Sequence, residues 1–230
     1  MSEKYPFECI DINIIGSSNI ARVAIENNVS QVIGISTDKS APPVGNLYGL
    51  SKASMERLFC SLNSKKTKFS CVRFGNIAWS TGSVFPIWKK MMKEKGVIET
   101  TGYEMRRFFF SIKEATNLVI TCLENSKIVE GKVLSQKMKS AKIGDILKIW
   151  SDEFNVNWKK INSRKGDKIE EFLIGENEVI STTEIKIKSK KYFLLDFYNK
   201  YKNNIGKNYS TLNSEILNKK EILNLINNKD

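Results

Sequence analysis

The spacing of apolar and polar residues divides most of the chain into alternating helices and strands. Apolar residues recur at helical spacing over residues 8–28, which predicts a helix. A continuous apolar run at 31–36 predicts a buried strand of the kind found in parallel sheets. A second helix is expected over about 47–63, and a second strand at Lys68–Phe74. Strands that alternate with helices indicate an α/β layered domain.

The same alternation continues, in shorter elements, toward the C-terminus. Further helices are predicted at Ser83–Glu94, Ile112–Asn125, Ala141–Phe154 and Ser214–Asn227. Short strands are predicted at Val97–Thr101 and Lys132–Leu134. Residues beyond about 200 are largely polar before the last helix, and no internal repeat is present.

Composition and charge narrow the class of protein. With 230 residues and 41% apolar content, the chain can bury a substantial core. The net charge of +12 raises the alternative of nucleic-acid binding, but no basic and aromatic stripe of a known nucleic-acid module is present, so no nucleic-acid partner is predicted. No apolar run is long enough to span a membrane and no signal peptide is visible, which predicts a cytoplasmic protein without a membrane partner. Four cysteines without a CxxC pattern, and no histidine, argue for reduced thiols and no metal.

The strongest chemical signal lies at the end of the strand at 31–36. The segment Ser36–Lys39 reads Ser-Thr-Asp-Lys, and Tyr48 and Lys52 follow on the next helix. Their i, i+4 spacing places both side chains on one helix face. An ammonium group near a phenol stabilises the phenolate and lowers its pKa, which suits proton transfer from an alcohol. The spacing alone is also compatible with the wet face of any helix, and Asp38 with Lys39 is also compatible with an ordinary polar loop.

Residues 7–33 look like the helix before the catalytic strand of one enzyme family, and four further segments resemble the same family. They are ISTDKSAPPVGNLYGLSKASMERLF at 35–59, VRFGNIAWSTGSVFPIWKK at 72–90, TGYEMRRFFFSIKEA at 101–115 and, more weakly, RKGDKIEE at 164–171. The chain from about residue 5 to 175 is similar to the extended short-chain dehydrogenases/reductases of polysaccharide biosynthesis, CapD-like proteins. Among these it most resembles the inverting UDP-N-acetylglucosamine 4,6-dehydratases, which are lyases. The Asp-Lys pair at 38–39 is the specific part, because sugar epimerases of the superfamily usually have small polar residues there.

The resemblance implies a fold and a division of the chain. The fold class is α/β, with a partial doubly wound, Rossmann-like parallel sheet and a small α/β substrate-binding region. Residues 1–135 would form the later portion of an NAD(P)-binding domain with interleaved substrate-binding segments. Residues 136–200 would complete the substrate-binding region, and 201–230 would form a polar tail with a short helix.

Roles for individual residues are also implied by the resemblance. The catalytic residues would be Thr37, Asp38, Lys39, Tyr48 and Lys52. Those that contact the cofactor, NADP or NAD, would be Ser36, Thr37, Tyr48, Lys52 and Ile77. Those that contact the UDP-sugar substrate would be Lys39, Asn76, Val84, Thr101, Arg107, Arg164 and Asp167. Tyr48 would assist deprotonation of the C4 hydroxyl, Lys39 would be the base at C5, and Asp38 would protonate the leaving C6 hydroxyl.

Several of these positions have simpler interpretations or depart from the family pattern. Asn76 could be a turn residue in a left-handed conformation, and Arg107 could be a solvated basic residue. Asp167 stands where the family has a longer glutamate, and Trp79 stands where relatives tend to have a glycine. The loop between Asp38 and Tyr48 is one residue longer than is usual in the family.

No G-x-G-x-x-G is present, since the thirteen glycines never fall at i and i+2. A dinucleotide-binding half needs that loop for the pyrophosphate. The partner expected is therefore a complementing N-terminal half or a second copy in a homo-oligomer, and the chain alone should expose strand edges and be prone to aggregate. The alternatives to a dehydratase are a non-catalytic remnant or subunit and a nucleotide-sugar epimerase.

Overall fold

The computed structural model describes residues 2–62, 66–162 and 168–227, and the chain forms two compact units. Unit 1 contains Met1–Phe74, Thr116–Lys137 and Phe172–Tyr209, and unit 2 contains Gly75–Ala115, Met138–Glu171 and Ser210–Asp230. The chain therefore passes between the units several times. The α/β fold class predicted from the sequence is confirmed.

The helices, among the described residues, are α1 (Pro6–Ile10), α2 (Gly16–Glu26), α3 (Leu47–Ser61), α4 (Val84–Lys95), α5 (Ile112–Glu124), α6 (Ser126–Val129), α7 (Ile143–Phe154) and α8 (Lys219–Asn227). The strands are β1 (Gln31–Thr37), β2 (Lys68–Phe74), β3 (Asn76–Ile77), β4 (Val97–Thr100), β5 (Arg106–Phe110), β6 (Val133–Gln136), β7 (Ser140–Lys142), β8 (Asn157–Lys160), β9 (Phe172–Ile174), β10 (Thr182–Ile187), β11 (Lys190–Leu195) and β12 (Tyr209–Ser210).

The main sheet of unit 1 has the strand order β1-β2-β6-β11-β10 across the described residues. The first three strands are parallel, and β11 and β10 are added antiparallel. Strand β2 is buried along almost its whole length, although Ser70 and Arg73 lie in it. Strand β1, predicted to be buried, is only partly buried, and Ile35 is 45% exposed. Strand β1 is the edge of this sheet, so the end of β1, where Asp38 and Lys39 follow, lies at a sheet edge.

The N-terminal helix differs from the single helix predicted over 8–28. A π-helical turn, Asp11–Ile15, separates α1 from α2, and the helical segment ends at Glu26. A π turn shifts the register of a helix by part of a turn. Cys9 on α1 and Ala21 and Ala24 on α2 are consequently all buried.

Unit 2 is built around aromatic side chains. Its core contains Phe85 and Trp88 of α4 and Trp150 of α7, and the C-terminal helix α8 adds Ile222 and Ile226. Strand β5 pairs with β3 in parallel and with β7 antiparallel, whereas β4 pairs with β8 in parallel. Part of the C-terminal segment is therefore buried in the core of unit 2, which its polar composition did not predict.

Two later helices begin at least two residues after their predicted starts. The helix predicted at Ala141–Phe154 begins at Ile143, because Ser140–Lys142 pairs with β5 as a strand. The final helix begins at Lys219 rather than at Ser214. The boundaries predicted near residues 135 and 200 for the domains stay a prediction.

Candidate active site and substrate pocket

The turn that follows β1 holds the predicted acid and base. Asp38–Ser40 forms one 3-10 turn, and the Thr37 side chain caps it by accepting from the Lys39 backbone N–H. Lys39 Nζ donates to Asp38 Oδ1 at 3.0 Å, and the Thr37 hydroxyl donates to the same oxygen at 3.0 Å. The Asp38 side chain is fully buried, whereas that of Lys39 is 27% exposed. In this turn a buried carboxylate is therefore hydrogen-bonded to an ammonium group that is partly exposed to solvent.

The second carboxylate oxygen of Asp38 has a different environment. Oδ2 is buried and has no hydrogen-bond partner among the described residues. A buried polar atom without a protein partner costs about 1–3 kcal/mol, and its presence calls for an explanation such as a catalytic role or a bound water. Oδ2 is therefore the oxygen of this carboxyl that can take a proton or a substrate hydroxyl.

Helix α3 begins against this turn. Asn46 caps the helix by accepting from the Gly49 backbone N–H at 2.8 Å. A Cβ on Gly49 would collide with the backbone carbonyl of Lys39, so only glycine lets the first turn of α3 approach Lys39 this closely. The close approach places Tyr48 in the electrostatic field of the turn.

The field at Tyr48 comes from the acid-base turn. Burial raises the pKa of Tyr48 above its ordinary value, the Lys39 ammonium lowers it, and Asp38 and Cys9 raise it. The cation found here to lower the phenol pKa is thus Lys39. The sequence-based prediction that Lys52 has this effect stays a prediction.

Lys52 lies one helical turn after Tyr48, and its Nζ donates to the Ile35 carbonyl of β1 at 2.9 Å. Burial lowers the pKa of Lys52, while Cys71, Glu56 and Cys9 raise it. The lysine is therefore fixed at the edge strand, on the same helix as the tyrosine.

A buried ionic cluster, not predicted from the sequence, lies next to this helix. It consists of Arg73 on β2, Glu56 on α3 and Glu178, and all three side chains are at most 4% exposed. The five N–H donors of Arg73 bind Glu56, Glu178 and the Leu173 carbonyl, at distances of 2.7 to 3.0 Å. The cluster thus holds two carboxylates and one guanidinium. The 48/52/56 spacing on one helix was the signal that could have indicated Glu56.

Ser40 connects the cluster to the acid-base turn. Its hydroxyl lies 2.6 Å from the Thr37 carbonyl oxygen and 2.9 Å from Glu56 Oε1, so one proton is shared between two acceptors. The Ser36 hydroxyl, predicted to contact the cofactor, donates to Ser40 at 3.2 Å. Ser36 is buried in this network at the end of β1.

Unit 2 contains a separate cavity of about 240 Å³. It is lined by Asn76, Ile77, Ala78, Gly82, Ser83, Val84, Thr100, Thr101, Gly102, Met105, Arg107, Phe109 and Ile143. Four of the predicted substrate residues line this cavity, namely Asn76, Val84, Thr101 and Arg107. Ile77, predicted to contact the cofactor, lies there too. Asn76 is in strand β3, so the interpretation as a left-handed turn residue is wrong.

Arg107 is held by backbone carbonyls at the edge of the cavity. Its guanidinium donates to the carbonyl oxygens of Arg106 and Lys168, each at 2.8 Å, and its Nε lies 3.7 Å from Glu171 Oε1. A phosphate that bound Arg107 would therefore have to displace one or more of these contacts. The predicted substrate residues Arg164 and Asp167 lie outside the described residues.

Trp79 takes the left-handed backbone conformation that glycine usually supplies, with φ of +65°. Its indole N–H donates to the Leu225 carbonyl of α8 at 2.8 Å, and its ring packs against Phe85 and Trp150. The tryptophan that stands where relatives tend to have a glycine is therefore tied to the C-terminal helix by a hydrogen bond.

No helix among the described residues is long and apolar enough to span a bilayer.

The family described as "Polysaccharide biosynthesis protein" matches residues 1–192. Over 191 residues the chain is 34% identical to the UDP-N-acetylglucosamine 4,6-dehydratase (inverting) of Campylobacter jejuni, covering 81% of this chain and 56% of the relative. It is 33% identical over 189 residues to the UDP-glucose 4-epimerase of Rickettsia canadensis, covering 80% and 54%. The chain thus spans little more than half the length of these relatives.

Among solved structures, the chain is similar to Pen from Bacillus thuringiensis. The TM-score is 0.88 at 29% identity, with 98% of this chain and 70% of that chain covered. The similarity includes the C-terminal residues beyond 192, which lie outside the family match.

Proposed function

Because the chain belongs to the polysaccharide biosynthesis protein family, we propose that it is the substrate-side portion of a UDP-N-acetylhexosamine 4,6-dehydratase. The reaction would convert UDP-N-acetylglucosamine into a 4-keto-6-deoxy sugar for a bacterial surface polysaccharide or glycan, in the cytoplasm. The observation that carries this proposal is the Asp38–Lys39 ion pair acting electrostatically on Tyr48 within one unit. A simple alcohol oxidation needs the phenol, whereas an elimination also needs the acid and the base.

The nicotinamide cofactor, NADP or NAD, fits the residues of this chain in part. Tyr48 and Lys52 lie one helical turn apart beside β1. Lys52 would bind the nicotinamide ribose, and Tyr48 would act on the reacting alcohol. No glycine loop for the pyrophosphate is present in the 230 residues. The proposal therefore includes a glycine-loop half, supplied in the same chain or by a partner. When bound, the cofactor supplies a hydride acceptor at C4 and a hydride donor at C6.

The Asp38–Lys39 pair can balance the elimination of water. A proton shift along the 3.0 Å hydrogen bond converts the ion pair into a neutral amine and a neutral carboxylic acid. Lys39 then removes the C5 proton, which the C4 ketone acidifies, and Asp38 protonates the departing C6 hydroxyl as water. The pair returns to ammonium and carboxylate, and a second shift along the same bond restores the acid. The shift leaves the proton on Oδ1, which would deliver it to the C6 hydroxyl, and the partnerless Oδ2 is free to accept a hydrogen bond from the same hydroxyl beforehand.

The cavity of unit 2 is the proposed site for the UDP-sugar. Arg107 and Asn76 provide a planar cation and an amide on its lining, and Val84 and Thr101 complete the predicted set. A guanidinium can donate two hydrogen bonds to a phosphate at once. Arg164 and Asp167 are proposed to add contacts to the uridine nucleotide.

A nucleotide-sugar epimerase is the second candidate, since one of the relatives is named UDP-glucose 4-epimerase. An epimerase exchanges the configuration at C4 and has no need for a base at C5. The buried Asp38 paired with Lys39 favours the dehydratase. A non-catalytic subunit is the third candidate, and the missing glycine loop is the feature that favours it.

The test is a binding and turnover measurement with one ligand. Purified chain is titrated with UDP-N-acetylglucosamine by calorimetry, and then supplied with NADP and a glycine-loop half and analysed for product by NMR. We expect binding that is lost in Arg107→Ala, and a 4-keto-6-deoxy product. A C4-epimerised product would support the epimerase, and binding without any product under all conditions would support the non-catalytic subunit.

A further inference from the structure

We propose that Glu56 is a positioning residue for the active site, joining the acid-base turn to helix α3 and setting the charge beside Lys52. This inference rests on the proposed function, because it concerns the same turn and the same Tyr48–Lys52 pair.

The first observation is geometric. Glu56 is 1% exposed and lies on α3 one helical turn after Lys52. Its Oε1 accepts from Arg73 Nε at 3.0 Å and lies 2.9 Å from the Ser40 hydroxyl. One carboxylate therefore links the helix that carries Tyr48 and Lys52 to the turn that carries Asp38 and Lys39.

The second observation concerns the number of charges. Glu56 and Glu178 face a single guanidinium, so the cluster has one more carboxylate than cation. Lys52 is a cation on which Glu56 acts, together with Cys71 of β2 and Cys9 of α1. Lys52, Glu56, Glu178 and Arg73 together are formally neutral. The excess negative charge of the cluster thus favours the protonated form of Lys52.

The third observation is that a purely structural role would not need this arrangement. Arg73 already binds Glu178 through two nitrogens and the Leu173 carbonyl through one. An apolar residue in place of a buried ion pair is often neutral or stabilising. Glu56 adds the hydrogen bond to Ser40 and the field at Lys52, which are connections to the site and not only to the core.

The experiment measures the titration of single lysines in the chain itself, without requiring turnover. Competitive acetylation followed by mass spectrometry gives the pKa of the Lys52 and Lys39 amines at increasing pH. In Glu56→Gln, which keeps the shape and removes the charge, we expect the Lys52 pKa to fall, because a negative charge that favours the ammonium form is lost. Glu26→Gln, at the exposed end of α2, is the matched control and should leave it unchanged.

Ser40→Ala tests the link to the turn while leaving the ion pairs of Arg73 intact. The Ala41 backbone N–H donates to the Asp38 carbonyl across the turn at 3.1 Å, so its hydrogen exchange reports on the turn. We expect this amide to exchange at least several-fold faster in Ser40→Ala, with the Lys52 pKa unchanged. Ser54→Ala on the exposed face of α3 is the control.

An unchanged Lys52 pKa in folded Glu56→Gln would overturn the electrostatic role. If Glu56→Gln does not fold, the exchange of the Ala41 amide in Ser40→Ala decides, and an unchanged rate would overturn the positioning role. Both readouts are independent of dehydratase activity. Failure of the proposed function, seen as absent UDP-sugar binding or product, is therefore distinguishable from failure of this inference.

Discussion

At the scale of single residues, the central feature is that Asp38 uses only one of its two oxygens. Oδ1 accepts from Lys39 and Thr37, and Oδ2 has no partner among the described residues. Asp38→Asn removes the proton donor and retains the shape. We predict that elimination of water falls by about 10²–10⁴-fold, as for loss of a general acid, and that proton exchange at C5 slows as well, because Lys39 loses the carboxylate that takes up its proton.

The measurement for Asp38→Asn is product formation against C5 deuterium uptake in D₂O, in the enzyme supplied with its cofactor half. Asp11→Asn, on the exposed side of the π turn, is a control that removes a carboxylate from the same unit. An Asp38→Asn protein with unchanged water loss would assign the acid elsewhere.

The pKa of Tyr48 gives a prediction with a defined sign. Burial raises it above 10.0 and the Lys39 ammonium opposes the rise, so Lys39→Met should raise it further. A raised phenol pKa favours the protonated form in the folded state. The corresponding stability is present below pH 10.0 and is lost as the pH rises through the folded value.

NMR of tyrosine labelled at Cζ measures this titration directly. Lys68→Met, which removes a lysine 3.6 Å from Glu130, is the control and should not move the Tyr48 resonance. A Tyr48 pKa that falls in Lys39→Met would mean that Lys39 does not act on the phenol.

At the scale of elements, the buried ionic cluster ties β2, α3 and Glu178 together. Arg73→Met leaves two buried carboxylates without their cation, and we predict a loss of about 3–5 kcal/mol in the free energy of unfolding. Urea denaturation measures it. Arg57→Met, which removes an exposed cation over the Phe197 ring, should cost about 1 kcal/mol or less. An equal effect of the two substitutions would contradict the role of the cluster.

Helix α8 is attached through Trp79. Trp79→Phe keeps a ring against Phe85 and Trp150 but removes the N–H that donates to Leu225. We predict a loss of about 1 kcal/mol and faster hydrogen exchange in α8. Trp158→Phe, on β8 stacked on Tyr103, is the matched control. Unchanged exchange in α8 would show that the indole hydrogen bond does not hold the helix.

Some elements were predictable because their signal is local, and others were not. The range of α3 follows from Asn46 as cap and from regular apolar spacing. The hairpin of β10 and β11 was missed because its lysines, such as Lys186 and Lys191, indicated a solvated surface, although Tyr192–Leu195 is buried. Likewise Glu56 and Arg73 are charged residues whose burial depends on each other, and no single-residue pattern reveals a pair.

At the scale of the whole molecule, apolar surface remains on the N-terminal helix. Four apolar side chains in this helical segment are 49–63% exposed, namely Ile12, Ile15, Ile20 and Val23. Ala21 and Ala24, on a neighbouring side of the helix, are buried. An apolar face that is left exposed is a candidate surface for a partner. Dependence on a complementing half or a second copy stays a prediction, and this face and the edge strand β1 are the surfaces on which it can be tested.

We predict that the isolated chain self-associates through this surface. Ile20→Glu should reduce the mass seen by light scattering, because a charge replaces an exposed apolar side chain. The adjacent Asn19→Glu adds the same charge at an exposed polar position and should leave self-association unchanged. A monomeric wild-type chain with a cooperative, reversible melt would contradict the prediction.

The most direct measurement of the central claim is deuterium incorporation at C5 of the sugar. The chain, supplied with NADP and a glycine-loop half, is incubated with UDP-N-acetylglucosamine in D₂O and the product is analysed by NMR. The account predicts a 4-keto-6-deoxy product with deuterium at C5. In Lys39→Ala it predicts no such exchange, with UDP-sugar binding retained. Exchange at C5 that persists in Lys39→Ala, or a C4 epimer without deuterium at C5, would contradict it.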